Sequence, residues 1–450
     1  MSGPKVVRIV TREEILAICN GLLGHLDSAL ARWERDVALV ADVPAGEIKR
    51  FRARRDRIRA LLDADRFAEL QKAVPAEMTF LAADLEDRRT RAVIERARRR
   101  AASHRVKATA GSLLVSLAAD GAAGSQLLIE NLRALARGEN ADDAGTILHE
   151  AFAALSRGPA LGEKLSDDQK ALAAALGDGG TVAAISDWIA ARPDPASSRD
   201  DRIADQISRL ETAFGEEAAA EFQRRWDAIL EVTDASRRRM MSDTLILDIA
   251  HTESGLRAQE KRRAELESLA ADLDAITAHD TRVERGAIRV ALSSGEDKAM
   301  DAALERGRRA LNEARTVLAA RAQRVALMTQ LARLGYEVRE GMETALVENG
   351  RIIVRTPHAS DYGIEVTTAK SRYQMRAVKL GEGNLDRARD TELETIWCSD
   401  FSQIRQAIAA EGGEIQIEAA KAPGEVEVKT ISGSEIDTIQ AESERTRSLS

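Results

Sequence analysis

Near Leu334 the hydrophobic period of this chain changes from that of a helix to that of a strand. This feature constrains the fold most, because the two periods place side chains on different faces and cannot share one segment. Up to that point apolar residues recur at three- and four-residue steps in a background rich in Ala, Arg, Glu and Leu. Beyond it come all three tyrosines (Tyr336, Tyr362 and Tyr373), an Asn349-Gly350 pair and alternating β-branched stretches. The expected fold is mainly α. Helical hairpins built from long, antiparallel, coiled-coil-like helices precede a small C-terminal α+β domain, an antiparallel sheet with one helix.

The pattern divides the 450 residues into five parts. Residues 1–110 form a basic N-terminal helical hairpin region, and 111–197 a short-helix bundle. Residues 198–334 form a long antiparallel helical hairpin, 335–431 the α+β module, and 432–450 a disordered tail. Val6–Val10 reads as an extended lead-in, and Thr11, followed by Glu13 and Glu14, as the N-cap of the first helix. Pro75 is placed at the start of a third helix that reaches about Val106. In the bundle, helices are expected near Ser125–Arg137, Asp142–Arg157, Ser166–Leu176 and Thr181–Ala191. The long hairpin covers roughly 240–334 and turns at Ser293–Asp297. In the module, Tyr336–Glu340 is a candidate strand, and Thr344–Glu348 pairs with Arg351–Thr356 through a type I′ turn at Asn349-Gly350. Tyr362–Thr367, Tyr373–Lys379, Glu414–Glu418 and Glu425–Thr430 are further strands, and Asp390–Ala410 is the helix.

The clearest heptad run is Leu304, Leu311, Leu318 and Val325, four residues at intervals of seven. These are the expected helix-seam or oligomer residues. Aromatics are only 3 % of the chain, so its cores must be built from Leu, Ile, Val and Ala, which suits closely approaching helices. Trp33, Trp188, Trp226 and Trp397 each fall on an apolar stripe and are read as packing residues.

Net charge is −8 and unevenly spread: residues 1–110 hold 23 Lys and Arg against 16 Asp and Glu. Arg88, Arg91, Arg98 and Arg105 follow steps of three and seven on one helix. They are the candidate nucleic-acid contacts, although no stacking aromatics interleave with them and Glu86, Asp87 and Glu95 lie alongside. Cys19 and Cys398 are too far apart in sequence for a ligand motif, and two cysteines fit a reducing compartment. No run of apolar residues is long enough for a membrane span or a signal peptide.

Catalytic motifs fail one by one. No phosphate-cradling Gly-x-x-x-x-Gly-Lys-Ser/Thr occurs, and Gly381 and Gly383 lack a third glycine. His149-Glu150 and His251-Thr252-Glu253 lack the partners that zinc sites need, and the six histidines do not cluster. The expectation is therefore no enzyme, no catalytic residue, no cofactor and no metal. A residual enzymatic reading rests on polar density around His358, Asp361, Tyr362 and Glu365, where turn chemistry already accounts for Pro357, Asp361 and Gly363. The lead expectation is a cytoplasmic, bacterial scaffold or interaction subunit with protein partners or a homo-oligomeric state and no membrane insertion. The alternative is a nucleic-acid-associated accessory factor of a bacterial defence or chromosome-handling complex.

Overall fold

The computed structural model describes residues 4–40, 44–119, 126–139, 143–156, 195–276, 280–339, 341–369, 372–381 and 386–432. The helices expected at Ser166–Leu176 and Thr181–Ala191, Trp188 and the tail from residue 433 lie outside them. The described residues form a mainly helical chain with a small sheet toward its C-terminal end. The chain divides into two compact units: Met1–Leu30, Arg50–Met78 and Lys261–Ser450 in the first, Ala31–Lys49 and Thr79–Glu260 in the second.

In the first unit the sheet has strands β1 (Lys5–Val10), β2 (Arg351–Arg355), β3 (Tyr362–Ala369), β4 (Arg372–Leu380), β5 (Glu414–Ala420) and β6 (Lys429–Ile431). Their order is β2-β3-β4-β1-β5, antiparallel throughout. Short β6 lies parallel to β4 at Val378–Leu380, beyond the stretch Tyr373–Met375 where β1 pairs. The extended lead-in is thus an interior strand of the sheet that the sequence assigned to residues 335–431. Its alternation sends Val7 and Ile9 into the core with Val354, Ile364, Val366 and Met375.

Helix α1 (Arg12–Val40) starts in a capping box. The Thr11 backbone N–H donates to Glu14 Oε2 at 2.8 Å, and the Glu14 N–H donates to Thr11 Oγ1 at 3.4 Å. Helices α2 (Ala45–Asp63) and α3 (Phe67–Ala119) follow. The break between them falls at Asp65, with φ 57, and not at Pro75. Pro75 sits inside α3, where buried Leu70, Val74 and Leu81 hold both sides of the proline on one apolar stripe. The second unit adds α4 (Gln126–Ala136), α5 (Ala144–Ser156), α6 (Pro195–Phe214) and α7 (Glu216–Leu230), and α8 (Ala235–Asp274) as far as Glu260. Leu113 and Leu117 of α3 pack with Leu132 of α4 and Ile147 of α5. A second core joins Ile203, Ile207, Phe222, Trp226 and Ile249.

The expected long hairpin has a divided first arm. α8 ends at Asp274, α9 (Arg282–Ser294) follows, and α10 (Asp297–Arg333) is the return arm after a left-handed cap at Gly295. In the first unit α1 approaches α8 so closely that a Cβ on Gly24 would lie 2.6 Å from that of Ala271. Only glycine permits that contact.

The expected hairpin around Asn349-Gly350 is not formed. Thr344–Glu348 belongs to helix α11 (Met342–Asn349), and Gly350 is its left-handed cap, with φ 65. A type I′ turn and a helix C-cap ask the same positive φ of a glycine. Met342, Ala345 and Leu346, buried at helical spacing, settle which one forms. Of the expected strand Tyr336–Glu340, the described residues 336–339 are likewise no strand and make one bridge, Glu337 to Arg355. The last strand begins at Lys429 where the sequence suggested Glu425. Helix α12 (Arg387–Ala410) lays Trp397, Phe401, Ile404 and Ile408 over the sheet, and Leu327, Met328 and Leu331 of α10 complete that core.

Candidate functional site

The heptad run closes within the chain. Leu304 and Leu311 are buried against Leu266, Leu269 and Leu273 of α8 and Ile288 of α9, and Leu318 packs partly on the same cluster. Val325 is 42 % exposed. A straight α-helix drifts by about 20° per heptad, so a residue three heptads from Leu304 has rotated by about 60°. From Ala322 onward the buried set becomes Leu327, Met328 and Leu331, which serve the sheet core.

Two of the four stripe arginines are engaged inside the second unit. Arg88 donates from Nε to Asp84 at 2.8 Å and from Nη2 to Glu47 at 2.5 Å. Arg105 reaches the Ala101 carbonyl at 3.2 Å and Asp201 at 3.4 Å. Arg91 is exposed and donates only to the Asp87 carbonyl of its own helix at 3.2 Å. Arg98 is exposed and has no ion-pair partner among the described residues. Between them, Arg96 and Arg100 turn inward. Arg96 reaches Thr212 at 2.9 Å, and Arg100 bonds Gln223, Ser208 and Glu211. Arg96, Arg100 and Arg105 thus tie α3 to α6 and α7.

The polar residues of the module do not converge. Asp400, nearly buried on α12, accepts the Tyr336 hydroxyl at 2.7 Å and lies 3.1 Å from His358 Nε2. Burial and that carboxylate push the Tyr336 phenol above its ordinary range. Tyr362 donates to Asp390, and Asp361 meets Arg389 at 3.5 Å. Strand alternation puts Glu365 on the opposite face of the sheet, 2 % exposed among Arg351, Arg376 and Lys429. The cavity beside Tyr336, Thr356, Tyr362 and Trp397 measures about 10 Å³, room for one water at most. Among the described residues no cluster of His, Cys, Asp and Glu has the arrangement of a metal site.

One buried constellation escaped the sequence reading. Lys5, 2 % exposed, donates from Nζ to Cys398 Sγ at 2.9 Å and stands 5.1 Å from the Phe401 ring centroid and 5.8 Å from that of Trp397. One turn away on α12, Glu394 is buried and accepts the Gly424 N–H at 2.6 Å; burial raises its carboxyl above the usual range. A lysine at an inward position of an alternating strand was the available signal. On its own that signal does not show what covers the face, because the partner strands lie hundreds of residues away. Cys19 contrasts with Cys398: it is fully buried, and desolvation raises its thiol.

No family model, no curated protein and no solved structure matches this chain.

Proposed function

We propose that this chain is a non-catalytic interaction subunit that offers helical faces to a partner protein or to a second copy. One observation carries the reading. Val283 and Val290, a heptad apart on α9, are 77 % and 69 % exposed, while Ile288 and Ala291 of the same helix are buried. Gly286 between them would direct a Cβ into open space. A helix that buries one stripe and exposes an apolar pair two turns apart offers a seat for a partner helix. In the second unit Met240 and Leu247 of α8 repeat the arrangement at 64 % and 69 % exposure. On this reading the helical hairpin is a lever or oligomerisation surface, and the α+β module is a recognition head. No described helix is long and apolar enough to cross a membrane, in keeping with work in the cytoplasm.

The test compares the full chain with the double variant Val283→Glu/Val290→Glu. The unmodified protein is expected to show a mass above one chain in light scattering, or to carry a partner from its native cell. The variant loses that association at unchanged helicity in circular dichroism. Equal mass and equal co-eluting chains for both proteins overturn the reading.

Exposure of Arg91 and Arg98 supports the nucleic-acid alternative. If it holds, binding to duplex DNA or RNA weakens steeply with salt, and Arg91→Glu/Arg98→Glu lowers both affinity and salt slope. A chain that shifts no nucleic acid at micromolar concentration retires it.

A further inference from the structure

The alternation of β1 sends Lys5, Val7 and Ile9 to the same face of the sheet, and that face is the core. A lysine in this row takes three N–H donors out of water. Among the described residues Cys398 Sγ is their one hydrogen-bond acceptor. The chain has two cysteines: Cys19 is wholly buried, whereas Cys398 is partly exposed, so an oxidant in solution can reach only the second. The partly exposed cysteine and the buried amine therefore meet at the boundary between β1 and α12, 393 residues apart in sequence. The rings of Trp397 and Phe401 flank the amine.

We propose that Cys398 and Lys5 form an oxidation-dependent crosslink that staples β1 to α12. In the first step a hydroperoxide oxidises the thiol: the sulfur loses two electrons, the O–O bond breaks, and a sulfenic acid and an alcohol (water, from hydrogen peroxide) result. In the second step the Lys5 ammonium gives up one proton to solvent, and the lone pair so freed on Nζ attacks that sulfur. The N–S bond forms as the S–O bond breaks, and the hydroxyl leaves as water with a proton from the nitrogen. The product is a sulfenamide, one oxidation level above the free pair and returned to it by a thiol. Sulfenic acids condense in this manner with a nearby nitrogen, and here the nitrogen is already at van der Waals range with apolar walls around it. The two carboxylates nearest Cys398 along α12, Glu394 and Asp400, take no part in either bond change. The crosslink leaves the exposed helical faces untouched, so it is independent of the proposed role.

The experiment treats the full chain with hydrogen peroxide and follows intact mass and peptide maps. The expected product is lighter than the starting protein by two hydrogens. It contains a peptide joining the segments of Lys5 and Cys398, with Lys5 no longer cut by trypsin, and dithiothreitol restores the original map. Cys398→Ser abolishes the linked peptide. Lys5→Arg, which keeps the cation, also abolishes it and leaves a sulfenic acid at Cys398 that dimedone traps. The contrary results are that Cys398 in the unmodified protein gains only oxygen while trypsin still cuts at Lys5, or that it gives as much dimedone adduct as Lys5→Arg. Either result overturns the proposal, and the first is read in the unmodified protein alone, so it does not depend on a variant folding.

Discussion

Replacing Glu365 by alanine is expected to lower the stability of the first unit by about 2–3 kcal/mol. The carboxylate is 2 % exposed and is shared by Arg351 of β2, Arg376 of β4 and Lys429 of β6, so one side chain gathers cations from three strands. Its removal leaves three like charges on one face of the sheet beside the apolar cluster of Ile353, Val378 and Ile431. The loss stays below that of a fully buried pair because the three cations keep between 24 % and 38 % of their side-chain surface in water. Burial alone would raise the Glu365 carboxyl. The hydrogen bond from Arg376 and the charges of Arg376, Arg351 and Lys429 outweigh it and hold the carboxyl below its ordinary value. A lowered folded value means that the stabilisation is complete above the unfolded carboxyl range, about pH 4.5, and is lost as pH falls below it. Urea midpoints should therefore drop in acid for the unmodified protein and change less for Glu365→Ala. Equal midpoints at neutral pH would refute the role given to this carboxylate.

The second large effect belongs to His104 in the other unit, and it falls in a higher pH window. His104 is 4 % exposed and stacks on Trp226, with ring centroids 3.9 Å apart and planes 11° from parallel. Neither ring nitrogen has a hydrogen-bond partner among the described residues, and Nδ1 is 3.7 Å from Asp200. Burial lowers the imidazole from 6.5 to about 4; Lys107 and Arg238 push the same way, and Asp227 opposes them. The unfolded chain therefore binds a proton that the folded unit refuses. Stability is full above pH 6.5 and falls as pH drops toward 4, by up to about 3 kcal/mol. His104→Phe keeps the stacked pair and removes the titration, so its melting midpoint should vary less across that window. A variant with the same pH slope as the parent would assign the acid sensitivity to other groups.

The helices were readable because their signals are local. The three- and four-residue steps through Ile203, Ile207 and Leu210, and those through Leu304 and Leu311, need only the geometry of their own segment, and both runs are buried. The Thr11 capping box and the turn at Gly295 are local in the same sense. The arginines were not readable in this way. A helix shows them all round its circumference, and whether Arg100 meets phosphate or Glu211 depends on a helix more than a hundred residues away.

What the sequence alone determined is the mainly helical class, the change of period near Leu334 and the places where most helices begin and turn. Only the tertiary structure could decide that residues 5–10 sit between β4 and β5, that Gly350 caps a helix, and that Lys5 meets Cys398. The reason is physical. Helical hydrogen bonds close within four residues, so their pattern is written along the chain. Strand pairing and buried polar contacts join residues hundreds of positions apart, and no local period encodes which distant partner will satisfy them.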